Sequence, residues 1–315
     1  MLKLTVGIGK EFLTITEALQ AIPYETPATI YIAAGVYFEK LFCDKQNITL
    51  IGAGATQTII SWDDFGLKPH PDGRKYGTFR SYTAFFGGKR LVVKDLTIKN
   101  TAKNHEIVGQ AIAAYVDVTN AYFDNVHFDS EQDTLFCAPL PLKEREVGGF
   151  FGPRGFAPRH LTKQFYNQCQ IIGNVDFIFG GADALFQDCE IISKSAGYVA
   201  APSGNKADLG FVFRDCRFIA DAGCDENSVY LARPWREDAK VAVLNCHLGA
   251  HIHATGFAPW HFTDSLIINK RTTFIEIGST GKGANPEARV PWMKKISDAQ
   301  LKKICAQLAL FKAPE

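Results

Sequence analysis

The side chains best suited to chemistry are carboxylates and amides gathered in four short strings. Gln110 lies in GQAIAAYV, Gln132 and Asp133 in QDTLF, Asp176 in DFIFG, and Arg233 with Trp235 in LARPW. Asp133 and Asp176 are 43 positions apart, yet each falls in or just after a strand-like run. On stacked strands ~4.8 Å apart, equivalent positions form a column on one face. Two carboxylates placed so closely resist ionising together, so one keeps a proton while the other stays charged. A member paired with arginine is the natural anion and nucleophile, and its neighbour the acid. Taken singly, each residue also reads as a turn residue, because Asp ends strands routinely and satisfies turn backbone. Asp176, bounded by aromatics and Ile, carries a desolvation cost unless a cation or donor supports it, and Arg233 is the available cation.

The elements that would position these groups are short strands. NITLIG (47–52), LVVKDLTIKN (91–100), AYFDNVHF (121–128), FYNQCQI, LFQDCEI, FVFRDCRF and VAVLNCHL share one texture: alternating apolar and polar residues broken by Asn, Asp or Gly. Leu96, Val126, Cys169, Cys189, Cys216 and Cys246 mark a common phase, recurring at gaps in the twenties to forties. A repeat of that length with variable insertions indicates a solenoid or propeller. No helical pattern separates the strands, and no propeller signature occurs. The expected fold is therefore all-β: a parallel β-helix of two or three short strands per rung. Cys169, Cys189, Cys216 and Cys246 are expected in inward strand slots as small core residues. Thr14-Ile15-Thr16-Glu17 reads as a capping box, and Ile15, Ala18, Leu19 and Ile22 as a short helix plugging the first rung. Ser297 and Gln300 read as a second box, opening a closing helix with Leu301, Ile304, Cys305 and Leu308 on its apolar face. Residues 137–163, rich in Pro, Gly and charge, read as one long insertion of the kind that forms lids and flaps. No linker-like stretch divides the chain, so residues 1–315 are read as one domain.

Composition excludes several classes. The 315 residues are 46% hydrophobic and 21% charged, as in a protein with a large core. Thirty-four basic residues against 33 acidic ones give a formal charge of +1, which argues against nucleic-acid binding. No apolar run approaches the ~20 residues that span a bilayer. There is no C-x-x-C, G-x-S-x-G, Walker A or G-x-G-x-x-G string. His247, His251 and His253 lie close in sequence; strand alternation would point His251 and His253 the same way in a polar turn, and they read as solvated or hydrogen-bonded rather than as a metal site. With Met1 as the native start, the sequence lacks a secretory signal and reads as cytoplasmic; with a leader removed, it reads as secreted.

The strings together resemble the signature segments of pectin methylesterases, a carbohydrate esterase family. TVGIGKEFLTITEALQAIP resembles that family's opening, GVYFEK its early G-x-Y-x-E segment and NITLIGAG its first rung. GQAIAAYV, QDTLF, VDFIFG and LARPW resemble its four site motifs in order, and GFAPW, IEIGSTGKGA and RVPW its closing part. The resemblance implies a right-handed, single-stranded parallel β-helix and hydrolysis of methyl esters on galacturonate. It implies Asp176 as the nucleophile and Asp133 as the acid that protonates methanol, then the base that activates water. Gln132 and Gln110 would donate to the oxyanion, where loss of one donor typically costs ~3 kcal/mol. Arg233 would hold Asp176 ionised, and Trp235, Phe136 and Phe179 would pack on sugar rings. Neither a metal nor an organic cofactor is implied. The implied partner is methyl-esterified polygalacturonate or oligogalacturonate, bound by a monomer, with no nucleic acid and no membrane.

Two features depart from the family pattern. The stretch between QDTL and DFIFG is lengthened by the 137–163 insertion, which bears on substrate length and methylation pattern. The family's LGRPW is LARPW here, with Ala232 tolerable if its φ is negative. Competing readings are a β-helix glycosidase or lyase that cuts the chain, and a non-catalytic β-helix that binds pectin. Paired carboxylates serve glycoside hydrolysis, but paired glutamines favour acyl chemistry, and no Asp cluster suits the calcium of a lyase.

Overall fold

The computed structural model describes residues 1–103, 105–204, 209–260 and 271–313. Among them are 21 strands, and every pairing between strands is parallel. The pairings sort the strands into three faces of a parallel β-helix. The first face begins with Leu2–Val6, Ala28–Ile32 and Asn47–Ile51 and ends with Lys240–Leu244 and Thr273–Ile277. The second runs from Gly35–Phe38 to His247–Leu248. The third runs from Leu41–Cys43 through Ala84–Phe86, Ala114–Val116, Leu135–Cys137 and the end of Gln170–Gly180 to Val229–Ala232. A full rung thus carries three strands.

The phase marks in the sequence locate the bend between the first two faces. Leu96, Val126, Cys169, Cys189, Cys216 and Cys246 are all at most 1% exposed, and the registers on either side stack them as one column. Each follows a residue in the left-handed region: Asp95, Asn125, Gln168, Asp188, Asp215 and Asn245, with φ between 52° and 56°. Asx side chains tolerate this conformation, and along the column they also bond from rung to rung, as in Asn125 Nδ2 to Asp95 Oδ1 at 2.7 Å. On the next rung the place is taken by Gly278, at φ 68°. The four cysteines are therefore buried as expected, but they sit at the corner and not in strand slots, because the left-handed residue before each one turns the chain. Thiols in this column donate to carbonyls of the neighbouring rung: Cys189 to Tyr166, Cys216 to Phe186 and Cys246 to Phe213, at 3.3–3.4 Å.

Inside the coil, equivalent apolar positions stack at the rung spacing. Phe123, Tyr166, Phe186 and Phe213 lie 4.6–4.9 Å apart, ring on ring. Truncating one such ring to Ala typically costs about 3–5 kcal/mol. The N-terminal opening is closed by the helix Ile15–Ala21, whose Ile15, Ala18 and Leu19 are buried. Its capping box, Thr14 with Glu17, is present. The next two N-terminal amides bond Glu39: Ile15 N and Thr16 N donate to its two oxygens at 2.9 Å. That contact gives GVYFEK a structural purpose, since a carboxylate suits the helix's positive end.

The C-terminal helix Asp298–Leu308 also carries its capping box. It lies on the outward side of the first face, with Leu301, Ile304 and Leu308 against Leu185, Val212, Ala242, Leu244 and Ile275. Cys305, expected on that apolar side, is instead exposed, because it lies about 100° round the helix from Ile304, at the edge of the stripe set by Leu301, Ile304 and Leu308. His251 and His253 do not share an environment. His251 is 1% exposed and neither ring nitrogen has a hydrogen-bond partner; burial lowers its pKa to about 4. His253 is half-buried, stacks on Tyr230 at 4.4 Å and meets Thr255 Oγ1 at 2.8 Å. His253 is thus hydrogen-bonded, within the expectation, whereas His251 departs from it, because its ring is sealed from water with no polar partner. Ala232 lies in a strand outside the left-handed region, so alanine is accommodated. No helix among the described residues is long and apolar enough to cross a membrane.

Candidate active site

The site lies on the outward side of the third face, where its strands begin. Leu135 pairs with Ile178, so Asp133 and Asp176, each two residues earlier, occupy equivalent places on adjacent rungs. Both are left-handed, at φ 63° and 50°. Such strain persists only where surroundings fix it, and it accumulates at functional sites. One rung earlier, Gln110 pairs with Gln132, which sets the two carboxamides beside the two carboxylates. All four side chains line one pocket of about 360 Å³.

A ladder of outward aromatic rings supports this pocket. Phe42, Phe85, Tyr115, Phe136 and Phe179 are in register on successive rungs. The next two places hold Ala201 and then Arg233, because Phe179 pairs with Ala201 and Ala200 with Ala232. The methyl group of Ala201 leaves empty the space a further ring would fill, and Ala201 lines the cavity. Arg233 reaches across that gap to Asp176, with Nε to Oδ1 at 2.8 Å and a terminal nitrogen to Oδ2 at 2.6 Å. This two-pronged pairing is the strongest form of a charge-assisted contact. The guanidinium is itself held between two rings, 3.9 Å from the Tyr198 ring centre and 4.3 Å from that of Trp260.

The electrostatics separate the two aspartates. Asp133 and Asp176 are 8% and 6% exposed. Burial pushes the Asp133 carboxyl well above the usual range, and the Asp176 charge raises it further; Arg233 and Gln132 oppose this only in part. Burial also raises Asp176, but the hydrogen bonds and charge of Arg233 pull it back. Asp133 is thus the member that keeps its proton and Asp176 the one that loses it first.

Every residue expected at the site is brought to this neighbourhood, with one correction. Phe179 and Trp235 line the pocket, but Phe136 is fully buried, with its ring 4.8 Å from Phe179 and 4.9 Å from Phe79. It cannot meet a sugar, because Phe79, Tyr115 and Phe179 close around its ring and leave it no exposed surface, and it supports the pocket floor instead. The insertion spans Ala138 to Thr162, between the strands Leu135–Cys137 and Lys163–Asn167. It is held by Arg154 against the buried Asp117 at 2.7 Å and by Arg159, which donates to the carbonyls of Pro141, Arg154, Ala157 and Gly155. Sequence reasoning missed Tyr198, Ala201, Phe79, Phe150, Arg145 and Arg236. Trp260, in GFAPW, carried a signal without a role; Arg145 had only its place in the insertion, and Tyr198 and Ala201 had none.

Comparisons with known proteins agree with this geometry. The family model described as Pectinesterase matches residues 5–140 and 158–308. A pectinesterase/pectinesterase inhibitor of Brassica campestris is 31% identical over 92% of this chain and 48% of its own length. A pectinesterase of Petunia integrifolia is 30% identical over 90% of this chain and 71% of its own. The chain spans about half the length of most of the curated relatives it matches. Among solved structures, carrot pectin methylesterase superposes with a TM-score of 0.78 at 28% identity, covering 95% of this chain and 89% of that one. The Aspergillus niger enzyme gives 0.76 at 26%, covering 93% and 90%. From the rung order of its motifs to these matches along nearly its whole length, the chain belongs to the pectinesterase family.

Proposed function

We propose that this chain hydrolyses methyl esters of galacturonate residues in pectin or oligogalacturonates, releasing methanol. The observation that carries the reading is the buried pair in which Arg233 grips Asp176, with Asp133 one rung away in a setting where burial and the Asp176 charge raise its pKa. The ionised Asp176 oxygen attacks the ester carbonyl carbon. The carbonyl π electrons move to oxygen, and carboxamide N–H groups of Gln110 and Gln132 donate to the oxyanion. Collapse of the tetrahedral intermediate breaks the bond to the methoxy oxygen, which takes the proton from Asp133 and leaves as methanol. An anhydride now joins Asp176 to the galacturonyl group. Asp133, now a carboxylate, takes a proton from water, and the hydroxide attacks the galacturonyl carbon. Asp176 departs as a carboxylate, stabilised by Arg233, and the site returns to its starting charge. Asp176 supplies the first attacking electron pair and Asp133 relays the proton, with water completing the balance, on one β-helix domain.

Further support comes from a pectin methylesterase 25% identical to this chain, whose structure was solved in complex with a hexasaccharide. The test is methanol release from methylated pectin, with reducing ends followed in parallel. Wild type is expected to release methanol without new reducing ends, and Asp176→Asn to lower kcat roughly 10⁴-fold. The carboxamide oxygen introduced by that substitution still accepts a hydrogen bond from Arg233, so near-ultraviolet circular dichroism should report a folded variant. Methanol release near the wild-type rate in that variant would remove the nucleophile assignment. New reducing ends would replace the ester reading with a chain-cutting one.

A further inference from the structure

The family model leaves residues 141–157 unmatched, and this stretch does two things at the pocket. First, it builds a wall. Phe150 packs edge-on against Phe79 at 5.7 Å. Gly152 lies so close to the Phe79 backbone that a Cβ there would fall 2.5 Å from its carbonyl oxygen. Arg74 sits over the Phe151 ring at 4.3 Å, tying the far side of the wall to the preceding loop. On one side of this contact is the pocket of about 360 Å³ that holds Asp176. On the other is a separate hollow of about 390 Å³, lined by Lys40, Tyr76, Arg80 and Tyr82.

Second, it brings a cation. Guanidinium nitrogens of Arg145 and Arg236 both donate to the Trp235 carbonyl oxygen, each at 2.9 Å. Two guanidiniums that share one acceptor stand within a few ångströms of each other, at the edge of a pocket both line. Like charges so placed repel; burial, and then the Arg145 charge, lowers the Arg236 pKa to about 10. Arg145 and Arg236 thus line the pocket beside Arg233, together with Asp133, Glu146 and Asp176. An anion bridging Arg145 and Arg236 relieves the repulsion and fits the planar, forked donors of arginine.

We propose that residues 141–157 turn an open groove into a pocket closed at the Phe79 end, which takes the end of a short, partly de-esterified oligogalacturonate. Arg145 and Arg236 bind the free carboxylate of the ring beside the esterified one. This rests on the pectinesterase reading above and adds its substrate class. Long, fully methylated chains fit poorly for two reasons: the wall stops the chain, and an ester offers the two cations no charge.

The test uses three substrates: fully methyl-esterified trigalacturonate, the same trimer with one ester removed, and long, highly methylated pectin. Methanol release is followed for the full-length protein and for Arg145→Gln, Arg145→Lys and Arg236→Gln. Wild type should show its highest kcat/KM on the partly de-esterified trimer and its lowest, per ester, on long pectin. Arg145→Gln and Arg236→Gln should each raise KM for the partly de-esterified trimer about 10-fold, removing the preference between trimers, and Arg145→Lys should restore part of it. Replacing 141–157 by a short Gly-Ser link should raise the relative rate on long pectin; should that variant not fold, the point variants decide. Equal kcat/KM on both trimers in wild type, or a preference that survives Arg145→Gln, would overturn the subsite while leaving the esterase reading intact. No methanol from any of the three would overturn the esterase reading and the subsite together.

Discussion

Two columns of left-handed polar residues run along this solenoid, and only one is placed to do chemistry. At the bend between the first and second faces stand Asp95, Asn125, Gln168, Asp188, Asp215 and Asn245. At the start of the third face stand Asp133 and Asp176, at φ 63° and 50°, in the same left-handed region. Residue type and backbone are alike. Surroundings differ: Asp188 and Asp215 are exposed and share the Gln187 amide at 2.9–3.0 Å, whereas Asp133 and Asp176 are buried in the pocket, Asp176 against the Arg233 guanidinium and Asp133 against Asp176 first and Arg233 second. A solvated turn aspartate satisfies backbone and neighbours. A buried one must either keep its proton or find a cation, and the site contains one aspartate of each kind.

Substitutions can break that contrast, and their expected effects fall in a clear order. Asp176→Asn has the largest, roughly 10⁴-fold in kcat as above. Asp133→Asn removes the proposed acid and base but leaves the Asp176–Arg233 pair, so kcat for methanol release should fall roughly 10³-fold. An ester with a far better leaving group than methanol would sharpen this, since the first step should then recover more than the second. Ala201→Leu fills the gap in the aromatic ladder. It should lower kcat/KM roughly 100-fold by displacing Arg233 from Asp176, at a stability cost of about 1–3 kcal/mol in urea unfolding; an unchanged kcat/KM would show that the gap is not what seats the guanidinium. Asp188→Asn, in the other column, should change unfolding free energy by less than about 0.5 kcal/mol and leave methanol release as it was. A large loss of activity there would erase the distinction between the columns.

Much of this was legible in the sequence because it depends on local chemistry. Thr14 with Glu17 and Ser297 with Gln300 identify both helix starts, since a capping box is a contact among neighbours. The phase residues Leu96 to Cys246 identify the rungs, since each must be small or apolar to sit at a buried corner. Alternation did not reveal that the position is a corner, because a left-handed residue shifts the pattern by one place without altering its composition. The site residues were legible from their strings, but their packing was not. Phe136 reads as an outward ring, and so it is; what covers it is Phe79, from a turn 57 positions earlier that meets it only in space and is itself packed on by Phe150 of the insertion. Ala201 matters for what is missing beside it, and an unfilled rung position leaves no mark on an isolated alanine. Tyr198 sits next to Arg233 only because residues 35 positions apart stack on adjacent rungs.

The claim beneath all of this is that Arg233 keeps Asp176 ionised while Asp133 retains its proton. The direct measurement is the pH dependence of kcat/KM for methanol release by wild type and by Arg233→Ala. On the proposed mechanism the acidic limb reports Asp176, which must lose its proton to attack. Arg233 lowers that pKa against the upward push of burial, so its removal should move the limb to higher pH and lower the plateau roughly 10³-fold. An acidic limb at the same pH in both proteins would contradict the pairing as the source of the nucleophile's charge.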